Sequence, residues 1–175
     1  MSIATKIISR QQIQVYKQLS KSIYDEKLNQ IILETQFQDL RPLLGERFFN
    51  DILNEEENST GVYNDLLDGS VYTYQGITYT NYGLRCVLSN YIYARYTMFG
   101  DIIDNSFGQS IKMNVNESQP ISASIKKSLY QNNRDLAYNY WLNVRDFIIR
   151  NSTNYPLYND CYTSDNKTFK LSKIG

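Results

Sequence analysis

Glu55-Glu56-Glu57 is the densest group of side chains in this sequence that could do chemistry. Paired carboxylates act as acid and base when they face each other across a substrate. Consecutive helix positions diverge instead, so this run reads as a solvated acidic loop. Asp101 and Asp104 are the next candidates, for a cation, but no calcium-loop spacing surrounds them. The chain contains no histidine. That removes Ser-His-Asp and Cys-His nucleophilic sites, the usual histidine zinc sets and the only side chain that titrates near neutrality unaided. Cys86 and Cys161 share no CxxC spacing. Cys86 falls in a helical pattern, where an inert buried thiol is expected; a Cys86–Cys161 disulfide is the less favoured alternative. Phosphate-binding loops of the GxxxxGK[ST] or GxGxxG kind are absent. The reading is a non-enzyme with no catalytic residue, cofactor or metal.

Elements of ordinary composition must carry these residues. The length of 175 residues fits one hydrophobic core, and 42% hydrophobic with 21% charged residues is typical of globular chains. Sixteen tyrosines stand out. Each has an apolar body and a polar tip, suited to core rims and to protein–protein contacts. No run approaches the roughly 20 apolar residues of a membrane span, and the first residues lack a signal-peptide core, so a cytosolic product is expected. A net charge of zero argues against a dedicated nucleic-acid binder. The charge is uneven, however. Residues 51–68 carry minus six, and residues 122–150 carry plus three. Such unlike patches suit head-to-tail contacts between copies, with Glu55, Glu56 and Glu57 of one facing Lys126, Lys127 and Arg134 of the next.

Apolar periodicity predicts a mainly α fold: a bundle of three to four substantial helices, one inserted β-hairpin and an extended C-terminal tail. Ser9 with Gln12 has the form of a capping box. A helix follows over Tyr24–Leu40, with Leu28, Ile31, Ile32 and Thr35 on its apolar face. Pro42 then opens a helix over Leu43–Leu53. A loop covers 55–61, and one or two turns cover Tyr63–Leu67. Val71–Tyr74 and Ile77–Thr80 about Gln75-Gly76 form the hairpin, with rings of Tyr72, Tyr74 and Tyr79 distributed over both faces. The strongest helix of the first half spans Tyr82–Phe99, with Leu84, Val87, Leu88, Tyr91, Ile92 and Phe99 inward. Residues 100–119 are irregular except for a short strand at Ser110–Val115. The last helix spans Ser122–Arg150, facing inward through Ile125, Leu129, Leu136, Tyr140, Val144, Phe147 and Ile148, with Trp141 beside them. Residues 1–150 form the domain; 151–175, with Tyr155, Tyr158 and Tyr162, form a tail for docking.

Residues 66–80 (LLDGSVYTYQGITYT), then Gly83-Leu-Arg and Tyr91-Ile-Tyr-Ala-Arg-Tyr96, resemble head–tail connector proteins of crAss-like tailed phages. Leu43-Leu-Gly45, the Glu34-Thr-Gln-Phe segment and the order of elements over about 9–150 are similar too. The resemblance implies a structural virion protein, assembled in the infected host's cytoplasm. It implies a ring, dodecameric because portals are, in the phage neck. Its partners would be the portal and other neck or tail rings, and DNA would pass through without specific binding. The alternative reading is a small helical adaptor that binds a single protein partner.

Overall fold

The computed structural model describes residues 5–20, 23–100, 102–105, 108–111 and 122–158. Helix α1 (Arg10–Tyr16) opens with the expected capping box: Ser9 Oγ accepts from the Gln12 amide, and the Gln12 side chain accepts from the Ser9 amide. Helix α2 (Asp25–Thr35) buries Leu28, Ile31, Ile32 and Thr35, the face expected of it. It runs on into a π-helical stretch, Gln36–Leu40. The wider turn resets the helical face, and Gln36 and Asp39 join Leu40 inside.

Pro42 lies in α3 (Arg41–Leu44), which continues from the π stretch without a break in helical backbone, so the proline does not stop the helix as expected. Gly45, at φ +77°, divides the single helix expected over Leu43–Leu53, and α4 (Glu46–Asn58) starts afresh. Helix α4 also carries Glu55, Glu56 and Glu57, which the sequence reading places in a loop. Glutamate is a good helix former, and the helix ends only where Ser59 turns left-handed. One turn, α5 (Asn64–Leu67), buries Leu66 and Leu67.

The hairpin pairs β1 (Ser70–Tyr74) with β2 (Ile77–Asn81) in the register Tyr72↔Tyr79 and Tyr74↔Ile77. Gln75 and Gly76 both take positive φ, as a type I′ turn requires. At its base two glycines let the backbone cross itself closely. A Cβ on Gly83 would stand 2.5 Å from both the Gly69 nitrogen and the Leu67 carbonyl oxygen.

Helix α6 (Leu84–Phe99) is the centre of the core. Leu84, Val87, Leu88, Tyr91 and Ile92 are buried as expected, and so are Arg85, Cys86, Ser89, Asn90 and Ala94. Helices α1, α2 and α5 and the π stretch all pack on it. The Ser89 and Asn90 side chains donate to the carbonyls of Arg85 and Cys86, which lets polar side chains sit inside. Phe99 departs from the expected inward stripe: it is 46% exposed, in a last turn beyond the final buried residue Ala94. Two further strands, β3 (Ile102–Asn105) and β4 (Gly108–Ile111), pair antiparallel where an irregular segment was expected. Of the strand expected at Ser110–Val115, residues 112–115 lie outside the described residues.

Helix α7 (Ala123–Arg150) is capped by Ser122 and runs antiparallel to α6, against which it packs. Its buried stripe is Asn133, Ala137, Trp141, Val144, Phe147 and Ile148. Trp141 is therefore central and fully buried, whereas Ile125 is 54% and Leu136 39% exposed, against expectation. The small Ala137 admits close approach to α6 and turns Leu136 to the flank. At 28 residues α7 is about 42 Å long, so it outruns α6. Residues 151–158 turn back instead of extending away, and Tyr155 is buried against the rings of Phe48, Tyr63 and Phe147. The body thus passes Arg150; residues 159–175 lie outside the described residues.

Gly83→Ala is expected to cost at least ~2 kcal/mol, from left-handed strain plus collision with backbone. Gly76→Ala, with nothing within 4 Å of its new Cβ, should lose less. Urea unfolding midpoints of the two variants check the difference.

Candidate interaction surface

Side chains two apart on a strand share a face, and directly paired residues do too. Tyr72, Tyr74 and Tyr79 therefore lie together on one face of the hairpin, not on both as expected. That face meets the end of α7. The Tyr72 ring sits edge-on to Phe147 at 4.9 Å and stacks on Tyr79 at 5.6 Å. Arg150 donates to the Tyr72 hydroxyl at 2.9 Å, and its guanidinium lies 4.2 Å from the Tyr79 ring centre and 5.4 Å from that of Tyr74. The hydrogen bond to Tyr72 is the main cause raising the Arg150 pKa. Asn143 completes the anchor, donating to the Thr80 carbonyl at 2.9 Å and accepting from the Tyr82 amide at 3.1 Å. Outward, the hairpin presents Val71, Thr73, Thr78 and Thr80. Val71 is 69% exposed, as is 57% of Ile77 at the tip.

The acidic segment is partly satisfied within the chain. Buried Arg85 donates to Glu56 at 2.8 Å, to Asp68 at 2.5 Å and to the Ile7 carbonyl at 2.9 Å. The Tyr63 hydroxyl donates to Asp51 at 2.5 Å, and burial together with that bond pushes its pKa far up. Thr60 donates to Glu55, and Glu57 is exposed.

On the basic side, Arg134 belongs to the interior network and is withdrawn as a docking cation. It and Arg95 grip the two oxygens of the buried Asp39 carboxylate, at 2.7 and 2.8 Å, and Arg134 also lies over the rings of Tyr91 and Tyr130. Tyr155 is withdrawn likewise, because it is a core residue. Tyr158 is half-buried against Phe48 and Trp141, and Tyr162 lies outside the described residues. Lys126 and Lys127 stand in the first turns of α7, where no residue from 123 to 132 is buried.

These placements give the subunit two unlike ends. The hairpin joins α7 at Asn143, Phe147 and Arg150, and the acidic α4–α5 region lies at that end through Arg85–Asp68 and the Asn81 side chain, which donates to the Asp65 carbonyl. Lys126 and Lys127 lie about 30 Å away along the same helix. Sequence reasoning missed Arg85, Asp39 and Arg150. For Arg85 a signal exists: a charge inside the apolar run Leu84–Leu88 needs a buried partner. The Asp101 and Asp104 side chains and Cys161 lie outside the described residues. Among the described residues no group of three or more Cys, Asp or Glu is placed to hold a metal ion, and no helix is long and apolar enough to cross a membrane.

Among known proteins, the model of a family of unknown function, DUF6712, matches residues 40–168, and the chain belongs to that family. No curated protein and no solved structure matches it.

Burial raises the pKa of Tyr155 to about 12, and burial together with the bond to Asp51 raises that of Tyr63 as well. An unfolded tyrosine ionises near 10, so between these values the unfolded chain holds fewer protons than the native one. Stability is fully present below pH about 10 and is lost as pH climbs through the folded values. Urea midpoints across pH 8–12 (roughly, spanning both states) check this, and Tyr155→Phe should flatten the decline.

Proposed function

We propose that this member of the DUF6712 family is a non-catalytic virion subunit whose copies close into a ring in the neck of a tailed phage. There it would join the portal to the tail and extend the DNA channel. The resemblance over residues 9–150 supplies the setting, including twelve copies to match the portal. The observation that carries the assembling role is the pair of unlike projections at opposite ends of α7. At one end stands the clamped hairpin, with Val71 on its outward face and Ile77 exposed at the tip; at the other are three turns of helix with Ile125 exposed and no residue buried. An isolated helical segment that short is marginal in water and gains from a second surface. Unlike surfaces about 30 Å apart on one rigid helix suit heterologous contact, in which each copy offers one end to the next and the chain of copies closes when the rotation allows.

Charge supports the same direction of contact. Lys126 and Lys127 remain at the helix end after Arg134 is assigned to Asp39, and the α4–α5 acids lie at the hairpin end. Charges at an interface rim set register and on-rate more than affinity.

Light scattering of the purified chain, alone and with portal, is the test. A discrete ring in either sample is expected; a strict monomer that ignores the portal would favour the single-partner adaptor instead. Changing Lys126 and Lys127 together to Glu should abolish or slow ring closure at low salt while leaving the helical circular dichroism intact. Rings that form at an unchanged rate would sink the charge pairing.

A further inference from the structure

Helix α7 carries one continuous stripe of which the subunit covers only half. Positions 125, 129, 132 and 136 recur at spacings of four and three, and 140, 143, 147 and 150 continue the series, so all lie along one flank. The second half is covered from within. Tyr82 packs edge-on against Tyr140 at 5.2 Å, Asn143 holds the Thr80 carbonyl, and Tyr72 of the hairpin lies on Phe147 and bonds Arg150. The first half is open: Ile125, Asn132 and Leu136 are exposed, Leu129 is half-buried, and none of the four is charged. The outward face of the hairpin is also exposed and uncharged, with Val71, Thr73, Thr78 and Thr80 on it.

We propose that the open half of the stripe seats the outward hairpin face of the next copy. This contact rests on the ring reading above and names the two surfaces that meet in it. A subunit's own hairpin cannot fill the open half, because it is held at Asn143 and Arg150 by its edge and its inward face. The dimensions agree. Ile125 to Leu136 rises about 16 Å along α7, and a five-residue strand such as β1 runs about 16 Å as well. The chemistry agrees too. Four β-branched side chains lie on Ile125, Leu129 and Leu136 without stranding a charge, and the threonine hydroxyls meet the Asn132 amide. Charge sets the direction. Asp65 and Asp68 are exposed at the base of the hairpin, where Asn81 donates to the Asp65 carbonyl, and Lys126 borders the stripe beside Ile125. The base of the incoming hairpin therefore lies over Ile125, and its tip, with Ile77, over Leu136. Two hairpins, one from each copy, then follow each other along a single helix flank.

Disulfide trapping on the full chain tests the contact, with Cys161→Ser leaving buried Cys86 as the only native thiol. Mild oxidation with the portal present should give a ladder of covalent oligomers beyond the dimer from Val71→Cys with Ile125→Cys. Ile77→Cys with Leu136→Cys should do the same, and no single cysteine should. All four positions are exposed, so unchanged circular dichroism is expected of every variant. Ile77→Cys with Ile125→Cys should not link, because a disulfide needs Cα atoms within about 7 Å; a ladder there would overturn the assigned direction. Rings seen by light scattering whose double variants give no ladder would overturn this contact and leave the ring standing. A strict monomer would remove the ring and this contact with it. Linkage of Ile125→Cys alone, stopping at the dimer, would assign the stripe to the same helix of a copy related by a two-fold axis, and would also overturn the proposal.

Discussion

Everything near the start of α6 depends on keeping the charge of Arg85 paired inside the protein. A guanidinium taken out of water is costly unless its donors are satisfied by well-placed acceptors, and removing one partner strands the charge. Here the partners come from three distant segments: the Ile7 carbonyl from the chain before α1, Glu56 from the end of α4, and Asp68 from the entry to the hairpin. Satisfying one side chain therefore fixes the position of three elements about one helix. Near the other end of α6 the geometry is inverted. The buried carboxylate of Asp39, supplied by the π stretch, is held by Arg95 from α6 and Arg134 from α7. The apolar contacts between these nodes supply the favourable burial, and the nodes restrict how the helices are set against one another.

That arrangement explains what the sequence could and could not reveal. Helices α2, α6 and α7 were legible because the apolar residues of an amphipathic helix recur at i, i+3 and i+4 whatever they pack against. The capping box and the Gln75-Gly76 turn were legible because their chemistry is local. Partners of charges were not, since Asp39 and Arg134 are separated by 95 residues and nothing local joins them. The glutamate run was misread for the same reason. Three adjacent charges look solvated when no cation is nearby in sequence, yet Glu56 turns inward on α4 to reach Arg85. Trp141 was placed beside the face of α7 because the larger Leu136 and Tyr140 suggested a stripe; the small Ala137 marked the contact.

Tyrosine usage follows from the same packing. Tyr63, Tyr72, Tyr155 and Tyr158 bring rings to Phe48, Phe147 and Trp141. Some hydroxyls find partners on elements distant in sequence, Tyr63 with Asp51 and Tyr72 with Arg150. A phenylalanine at those positions could fill the volume but not bond the charged group at the rim. The high tyrosine content therefore serves the core boundary first. Fewer tyrosines remain for contacts with other chains than composition alone implied, and Tyr155 is lost to docking altogether.

The residues left over decide what sort of interface the proposed ring could have. Permanent interfaces resemble a protein core cut in half and bury large apolar areas. The exposed apolar side chains here are instead scattered, among them Val15 and Val62 as well as Val71 and Ile77 on the hairpin and Ile125 on α7, with threonines between those on the hairpin. Arg150 and Asn143 hold the hairpin in place within the subunit, so it need not be ordered by a neighbour. On the proposed reading, a subunit built this way would fold before it assembles. On the proposed reading, closure then depends on many weak identical contacts being brought together at once. A preformed ring of partners, such as a portal, provides that through effective concentration without any single contact having to be strong.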